Sequence, residues 1–586
     1  MSAPSPRPPS PVADRPRRRP VSRACDRCRR RKAKCDFVTA LATCTHCRDN
    51  QVGCTFDLPL ARRGPKSKKR TEAAVSSAAA AQPASAFASP SSSSTASWEP
   101  PVPVGIFSIN HVLSPPVAMA TTPHAPDSPF ARWQKLAATV ALRNSSIDSV
   151  VNRCFGLFFE HLYPLTPLIH EASLRDALAY FLSHAHLSPH VHSHQQEPLW
   201  SRDPLQPART WLDASFCLVT AVCAEAAFML PKHVFPEGES LAQVFLQASR
   251  DCLNHYLEAD LETPTANSIT IRYFHSNCIH AAGKPKYSWH IFGEATRLAQ
   301  VMRLHDEASL EGLFPIEAEL RRRAFWIVYM GDKSAAILNN RPMTIHKYSF
   351  ESGITTAYPT GFQGPASLDC TPLLQDGHRS GFIAGFNANL RLWQAASDLL
   401  LEIRLFQDQR GAADFALTDE ERQRLDSLFV HFITCLDDLP PYLQSHTCAA
   451  LSSGGEQTTQ SNQFVIQCAN LQVSFQCLRM VITQKFEEIA YFSPGAEQAD
   501  LRKTEIVRDM LRIMNEAPFW SLQANGEPYV EKIRLIGASL LAIIHRNQTS
   551  PLGARARSDF SVLLDILTRL DSKASDALRS TSFMDL

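Results

Sequence analysis

The stretch Cys25-Asp26-Arg27-Cys28-Arg29-Arg30-Arg31-Lys32-Ala33-Lys34-Cys35, followed by Cys44-Thr45-His46-Cys47 and then Cys54, decides how this chain is read. The pattern Cys-x2-Cys-x6-Cys occurs twice. Cysteines three apart at a helix start can ligate one ion. Three thiolates per arm fall one short of the four that a tetrahedral zinc takes, and two separate ions would need eight. The count closes if two cysteines each bridge both ions. That gives two Zn2+ per chain, held by Cys25, Cys28, Cys35, Cys44, Cys47 and Cys54. A single ion on four cysteines, with His46 in reserve, is the competing arrangement. A disulfide framework would suit a secreted domain, but residues 1–24 are rich in Pro and Arg and have no apolar signal core. The other ten cysteines stand singly among apolar residues, as at Cys154, Cys217, Cys223 and Cys278, and read as buried thiols in a reducing compartment.

Charge is partitioned along the chain. Residues 1–70 carry 19 Lys+Arg against 5 Asp+Glu, and the remainder carries 40 against 52, so the total of +2 hides a strongly basic head. Such a head is a polyanion-binding module whose affinity should fall steeply with salt. Part of the charge lies inside the first arm, at Arg29, Arg31, Lys32 and Lys34. More follows in Arg62-Arg63-Gly64-Pro65-Lys66-Ser67-Lys68-Lys69-Arg70. Gly64 and Pro65 argue against a continuous helix there. An extended strap along a phosphate backbone fits, as does a nuclear-localisation signal.

Residues 71–130 are dominated by Ala, Ser and Pro and should form a linker with no core of its own. From 147 to 575 apolar residues recur at helical spacing. In 288–304, Ile291, Ala295, Leu298 and Met302 share one stripe, with Ser288 as the expected N-cap. In 315–339 a Pro stands at the helix entry and Glu319 pairs with Arg323 at i,i+4. No apolar run reaches the roughly 20 residues of a membrane span, and Phe216–Leu230, interrupted by Glu225, reads as a buried helix. No membrane role is expected.

The first arm resembles the signature of the fungal zinc binuclear cluster (Zn2Cys6) transcription factors. The inter-arm loop 36–43 lacks the proline usual in that family. A second resemblance, to the middle homology region of the same regulators, rests on Phe158-Phe159-Glu160-His161-Leu162-Tyr163-Pro164-Leu165-Thr166-Pro167, on 295–305, on Glu317-Ala318-Glu319-Leu320-Arg321-Arg322-Arg323-Ala324-Phe325-Trp326 and on Asn340-Arg341-Pro342. The resemblance implies two short helices around two zincs, with Cys25 and Cys44 as bridging ligands. It implies a disordered linker and then a large all-α regulatory domain. It implies a nuclear regulator of RNA polymerase II genes, an activator of metabolic genes that is not an enzyme. By the same resemblance Arg31 and Lys32 fall at the base-reading place for CGG-type triplets, and Arg27, Arg29 and Lys34 on the phosphates, joined there by Arg62, Arg63, Lys66 and Lys68 of the strap. The implied partners are double-stranded DNA, coactivators and a small-molecule inducer; with no heptad run after the cluster, either a monomer or a homodimer made through the large domain fits.

The domain division expected is 1–20 tail, 21–57 zinc cluster, 58–146 strap and linker, 147–575 helical domain and 576–586 tail. The alternative is a metabolite-binding or enzymatic helical protein whose cluster only localises it, although P-loop, Gly-x-Ser-x-Gly and His-Glu-x-x-His motifs are all absent. Further candidates read as structural. The histidines between His184 and His194 suit a polar loop, Arg321-Arg322-Arg323 a solvated or salt-bridged face, Trp289 and Trp326 the core, and Asp332 with Arg341 an ionic pair. The terminal Ser580–Leu586 mixes bulky apolar residues with an acid, a pattern for coactivator docking.

Overall fold

The computed structural model describes residues 24–30, 35–36, 43–56, 128–184, 211–360, 380–410, 417–444, 459–492 and 496–570. The strap, the linker up to 127, the histidine-rich stretch beyond His184 and the tail beyond 570 lie outside the described residues. The chain divides into two units, one ending at Pro116 and one beginning at Val117.

The first unit contains two short helices, α1 (Asp26–Arg30) and α2 (Thr45–Arg48). Its buried centre is sulfur: Cys25, Cys28, Cys44 and Cys47, with Cys35, Cys54 and Phe56 packed alongside.

In the second unit every described regular element is helical. Its packing begins earlier than the expected boundary at 147. Ser128 caps α3 (Pro129–Ala141), its Oγ accepting from Ala131 N–H at 3.2 Å, and Pro129 takes the first helical position, where no N–H is needed. Trp133 of α3 is buried and stacks on Phe181, ring centroids 5.2 Å apart. Then come α4 (Ile147–Leu157), α5 (Glu171–His184), α6 (Trp211–Met229), α7 (Gly238–His255), α8 (Leu257–Glu262), α9 (Ala266–Ala281), α10 (Pro285–Val301), α11 (Pro315–Leu338), α12 (Ser380–Arg410) and α13 (Asp419–Thr434). The last five are α14 (Thr459–Glu488), α15 (Ala496–Glu516), α16 (Phe519–Ala524), α17 (Gly526–Arg546) and α18 (Pro551–Arg569). A π-helical turn, Phe158–Leu162, continues α4 through the Phe-Phe-Glu-His-Leu motif.

Two apolar cores share one wall. The larger runs from α3 to α14, and the smaller is built by α14 to α18. Helix α14 sends Leu471, Leu478 and Phe486 into the first and Val473 and Met480 into the second. A helix apolar all round is one that must be buried on several sides. Helix α6 is the same case. It alone among the described helices has the length and composition to cross a membrane, yet 72% of its apolar window is buried inside the protein.

Several expectations need correction. Helix α10 starts at Pro285, which suits the first helical position. Ser288 is therefore inside the helix and not its cap, and its hydroxyl lies 3.0 Å from Ser276 Oγ. The turn before it needs Gly283 at φ +74° to end α9. Asp332 does not pair with Arg341. Its carboxylate accepts from Thr344 N–H (2.9 Å), Thr344 Oγ1 (2.6 Å) and Ile345 N–H (3.1 Å), and Lys333 Nζ is 3.2 Å away. Backbone amides that follow the helix end outcompete a side chain that must reach back.

The arginine triplet is salt-bridged, as expected, and Arg322 also lies 3.7 Å from the acid that Arg323 holds. Arg321 meets Glu317 at 2.7 Å, Arg322 meets Glu307, and Arg323 meets Glu319 at 2.9 Å. Arg323 is 2% exposed. It also donates to Pro167 O at 3.1 Å and Thr360 O at 3.4 Å, tying α11 to the segments around it. Trp326 is core, with Nε1 donating to Ala357 O at 2.8 Å.

Candidate metal centre

The two arms are related by an offset of nineteen residues, and the structure obeys it. Cys25 matches Cys44, Cys28 matches Cys47, and Cys35 matches Cys54. Cys25 N–H donates to Cys35 Sγ at 3.4 Å, and Cys44 N–H donates to Cys54 Sγ at 3.2 Å. Across the arms, Cys25 Sγ lies 3.6 Å from Cys47 Sγ, and Cys28 Sγ lies 3.6 Å from Cys44 Sγ. The equivalent pair Cys25 and Cys44 is 3.9 Å apart. The four sulfurs all lie within 4.8 Å of one another and are buried.

These separations exclude disulfides and fit metal. With a Zn–S bond of about 2.3 Å, the edge of a ZnS4 tetrahedron is about 3.8 Å. An all-sulfur donor set of this spacing suits zinc. Cys25 and Cys44 are the two sulfurs that take part in more than one of the cross-arm contacts. They also differ electrostatically. Burial raises the Cys44 thiol, but Cys47 N–H and the Cys47 and Cys28 thiols outweigh it and hold the group at about 6. Cys25 is lowered in the same way against its burial, through Cys28 N–H and the neighbouring thiols. Burial together with those same sulfurs pushes Cys47 up to about 12 and also raises Cys28.

One stabilising group escaped the sequence reading. Asp36 Oδ1 accepts from Thr45 N–H at 2.9 Å, and its Oδ2 accepts from Thr45 Oγ1. The opposite face has Asp26 N–H donating to Thr55 O at 2.8 Å. Asp36 and Thr55 each follow the third cysteine of an arm, so the offset that relates the ligands also finds this clamp.

Of the expected DNA contacts, Arg29 lies on α1, next to Cys28 in the chain. Arg31, Lys32, Lys34, Arg62, Arg63, Lys66 and Lys68 lie outside the described residues. In the helical unit, Trp289 is only half-buried and stacks on Phe292, centroids 5.5 Å apart. It packs against the edge of the larger core and also lines a cavity of about 280 Å³. The eight cysteines described outside the arms are free thiols, all buried except the half-buried Cys435.

Two family models match the chain. Residues 23–63 match the fungal Zn(2)-Cys(6) binuclear cluster domain, and residues 156–429 match the fungal specific transcription factor domain. An ABC-transporter-regulating transcription factor of Aspergillus oryzae is 27% identical over 188 residues, 32% of this chain and 18% of that protein. An aurofusarin cluster transcription factor of Gibberella zeae is 47% identical over 55 residues, 9% of this chain and 8% of that protein. An ascochitine biosynthesis cluster transcriptional regulator of Didymella fabae is 25% identical over 203 residues, 33% of this chain and 29% of that protein. The chain thus spans less than a third of the length of these relatives. The family and the relatives are regulators of genes and not enzymes. The cluster domain binds two zinc ions, and it implies DNA as a partner. With a metal-spaced sulfur cluster and a large helical unit behind it, the chain belongs to the fungal Zn2Cys6 transcription factors.

Proposed function

We propose that this chain is a nuclear, sequence-specific activator of RNA polymerase II genes of metabolism that reads CGG-like triplets. The observation that carries the reading is the sulfur cluster at tetrahedral-edge spacing, in a sequence that carries a basic run between Cys28 and Cys35. Cys25, Cys28, Cys35, Cys44, Cys47 and Cys54 hold two zincs, with Cys25 and Cys44 bridging. Their repeated cross-arm contacts support that assignment. Arg31 and Lys32 donate to guanine O6 and N7 in the major groove. Arg29, Lys34, Arg62, Arg63, Lys66 and Lys68 grip phosphates and set register. The relatives named for an ABC transporter and for two biosynthetic clusters support small-molecule metabolism as the field of target genes. The helical domain receives an inducer, engages coactivators and joins a second copy of the chain.

The test is a selection of bound duplexes from a random pool with the zinc-loaded full-length protein. Enriched CGG-like triplets with two zincs per chain are expected, and any fixed triplet spacing gives the dimer geometry. Lys32→Ala should cost about 1–3 kcal/mol on the selected site and much less on random DNA. No enriched sequence would reduce the cluster to a non-specific module.

A further inference from the structure

The 280 Å³ cavity lined by Trp289 lies in the helical domain, among residues of α9, α10, α11 and α17. It is at the small end of the roughly 300–1,000 Å³ usual for small-molecule sites. Exposed Pro285 and Asn339 belong to its lining and mark its rim. Phe292, Ile327 and Met330 give it an apolar wall.

Two cations line the same space. Lys532 is 6% exposed. Its Nζ donates to Asn470 Oδ1 at 2.9 Å and to Ser474 Oγ at 2.7 Å, and lies 5.9 Å from the Trp393 ring centroid. Arg341 rides the Trp289 ring at 5.8 Å. Among the described residues neither is paired with a carboxylate, so every partner of the buried ammonium is neutral. Isolating a cation from water in this way costs several kcal/mol unless a counter-charge arrives.

The acids of the cavity are otherwise engaged. Glu225 is 2% exposed and accepts from Asn277 Nδ2 at 2.8 Å. Burial holds its carboxyl up at about 8, so it is neutral near pH 7. Glu531 is shared between His280 (3.2 Å) and Asn339 Nδ2 (3.0 Å). Glu527 occupies the first turn of α17, where the helix N-terminus stabilises its charge. One acceptor is left over. Asn389 Oδ1 is buried with no hydrogen-bond partner among the described residues, while its amide nitrogen meets Met330 Sδ at 3.5 Å.

We propose that this cavity binds a small organic carboxylate with a planar ring and a hydroxyl group. The carboxylate meets Lys532, with Arg341 as the second cation. The ring lies against the tryptophan faces, and the hydroxyl donates to Asn389 Oδ1. This deepens the reading of the helical domain as the receiver of an inducer, and rests on it for its regulatory meaning. The bare cation, the aromatic faces and the orphaned acceptor are each supplied with what they lack by one molecule.

The test uses zinc-loaded full-length protein, calorimetric titration and thermal melting. The probes are 4-hydroxybenzoate, its neutral amide 4-hydroxybenzamide and inorganic phosphate. The acid should bind at sub-millimolar concentration, with the amide about tenfold or more weaker. Lys532→Met should erase most of that preference while keeping or raising the unliganded Tm. Because a core substitution can disturb folding, Arg341→Gln at its half-buried position provides a second reading, with the same loss of preference in smaller degree. Equal binding of acid and amide would overturn the proposal. So would no binding of either, capture of phosphate instead, or a well-folded Lys532→Met protein that binds the acid unchanged. Duplex selection on the same sample separates the two readings. Selected triplets without carboxylate binding would sink the inference and leave the regulator. Carboxylate binding without selected triplets would do the reverse.

Discussion

The zinc cluster and the helical domain are stabilised by opposite means. The cluster has almost no apolar core: among its described residues the buried apolar ones are four cysteines, with Phe56 packed beside them. The helical domain buries rings and aliphatic chains in two adjoining cores, with Trp133, Phe155, Phe181, Phe216 and Phe274 among the deepest residues. A segment that short cannot offset its chain entropy by apolar burial, so metal–thiolate bonds replace it. The contrast teaches where sequence information sits. In the cluster six positions carry nearly everything. In the helical domain the information is spread over many positions, and the informative residues are the polar ones forced inside.

The largest break in this comparison is metal removal. A strong chelator, or Cys44→Ala, should release zinc and unfold residues 24–56, since structural zinc contributes roughly 10–16 kcal/mol to such a site. The helical melt followed by circular dichroism should not move. Two zincs retained per chain in Cys44→Ala would remove that cysteine from the bridging position.

The converse break lies in α11. Arg323→Ala takes from buried Glu319 its nearer cation, leaving only Arg322 at 3.7 Å, and frees the carbonyls of Pro167 and Thr360. A loss of about 3–5 kcal/mol in helical-domain stability is expected, with zinc content and DNA binding of the folded fraction unchanged. A chemical-denaturation midpoint that does not move would show that the triplet is solvated after all.

A finer test uses pH. The folded pKa of Glu225, about 8, lies above the ordinary carboxyl value. The folded protein therefore holds a proton that the unfolded chain releases. The stability linked to that proton is full below the ordinary value and is lost as pH rises through about 8. Glu225→Gln should flatten this loss, so that near pH 8.5 the variant is the more stable by on the order of 2–4 kcal/mol, while near pH 4.5 the two melt alike. Parallel Tm profiles for the two proteins would place the carboxyl in contact with solvent. Lys532, held down at about 8 by burial, works in the other direction, its penalty fading as pH rises from about 8 toward its ordinary value.

Much of the site was legible because it is local. The six cysteines, the arm offset and the basic run inside the first arm are all read within thirty residues. So were Glu319 with Arg323 and the entry of α11 at Pro315, since neighbours at three and four positions share a helix face. The start of the helical domain was read too late, because the Ala and Ser preceding α3 mask a helix whose packing residue is Trp133. Asp332 was given the wrong partner. Charge complementarity suggested Arg341, and the competing donors were backbone amides whose position depends on how the chain turns after α11.

By itself the sequence determined the chemistry of this protein: two zincs on repeated thiolate arms, a strongly basic head around them and a helical remainder of the opposite charge. Ligand spacing and helical period are short-range properties, fixed by bond geometry along a few residues. Only the tertiary structure decided which buried groups are incomplete. Lys532 meets Asn470, Ser474 and Trp393, and Arg341 meets Trp289, across separations of dozens of residues. The cost of a buried charge depends on every neighbour the fold brings to it, and no periodicity in the chain records those neighbours.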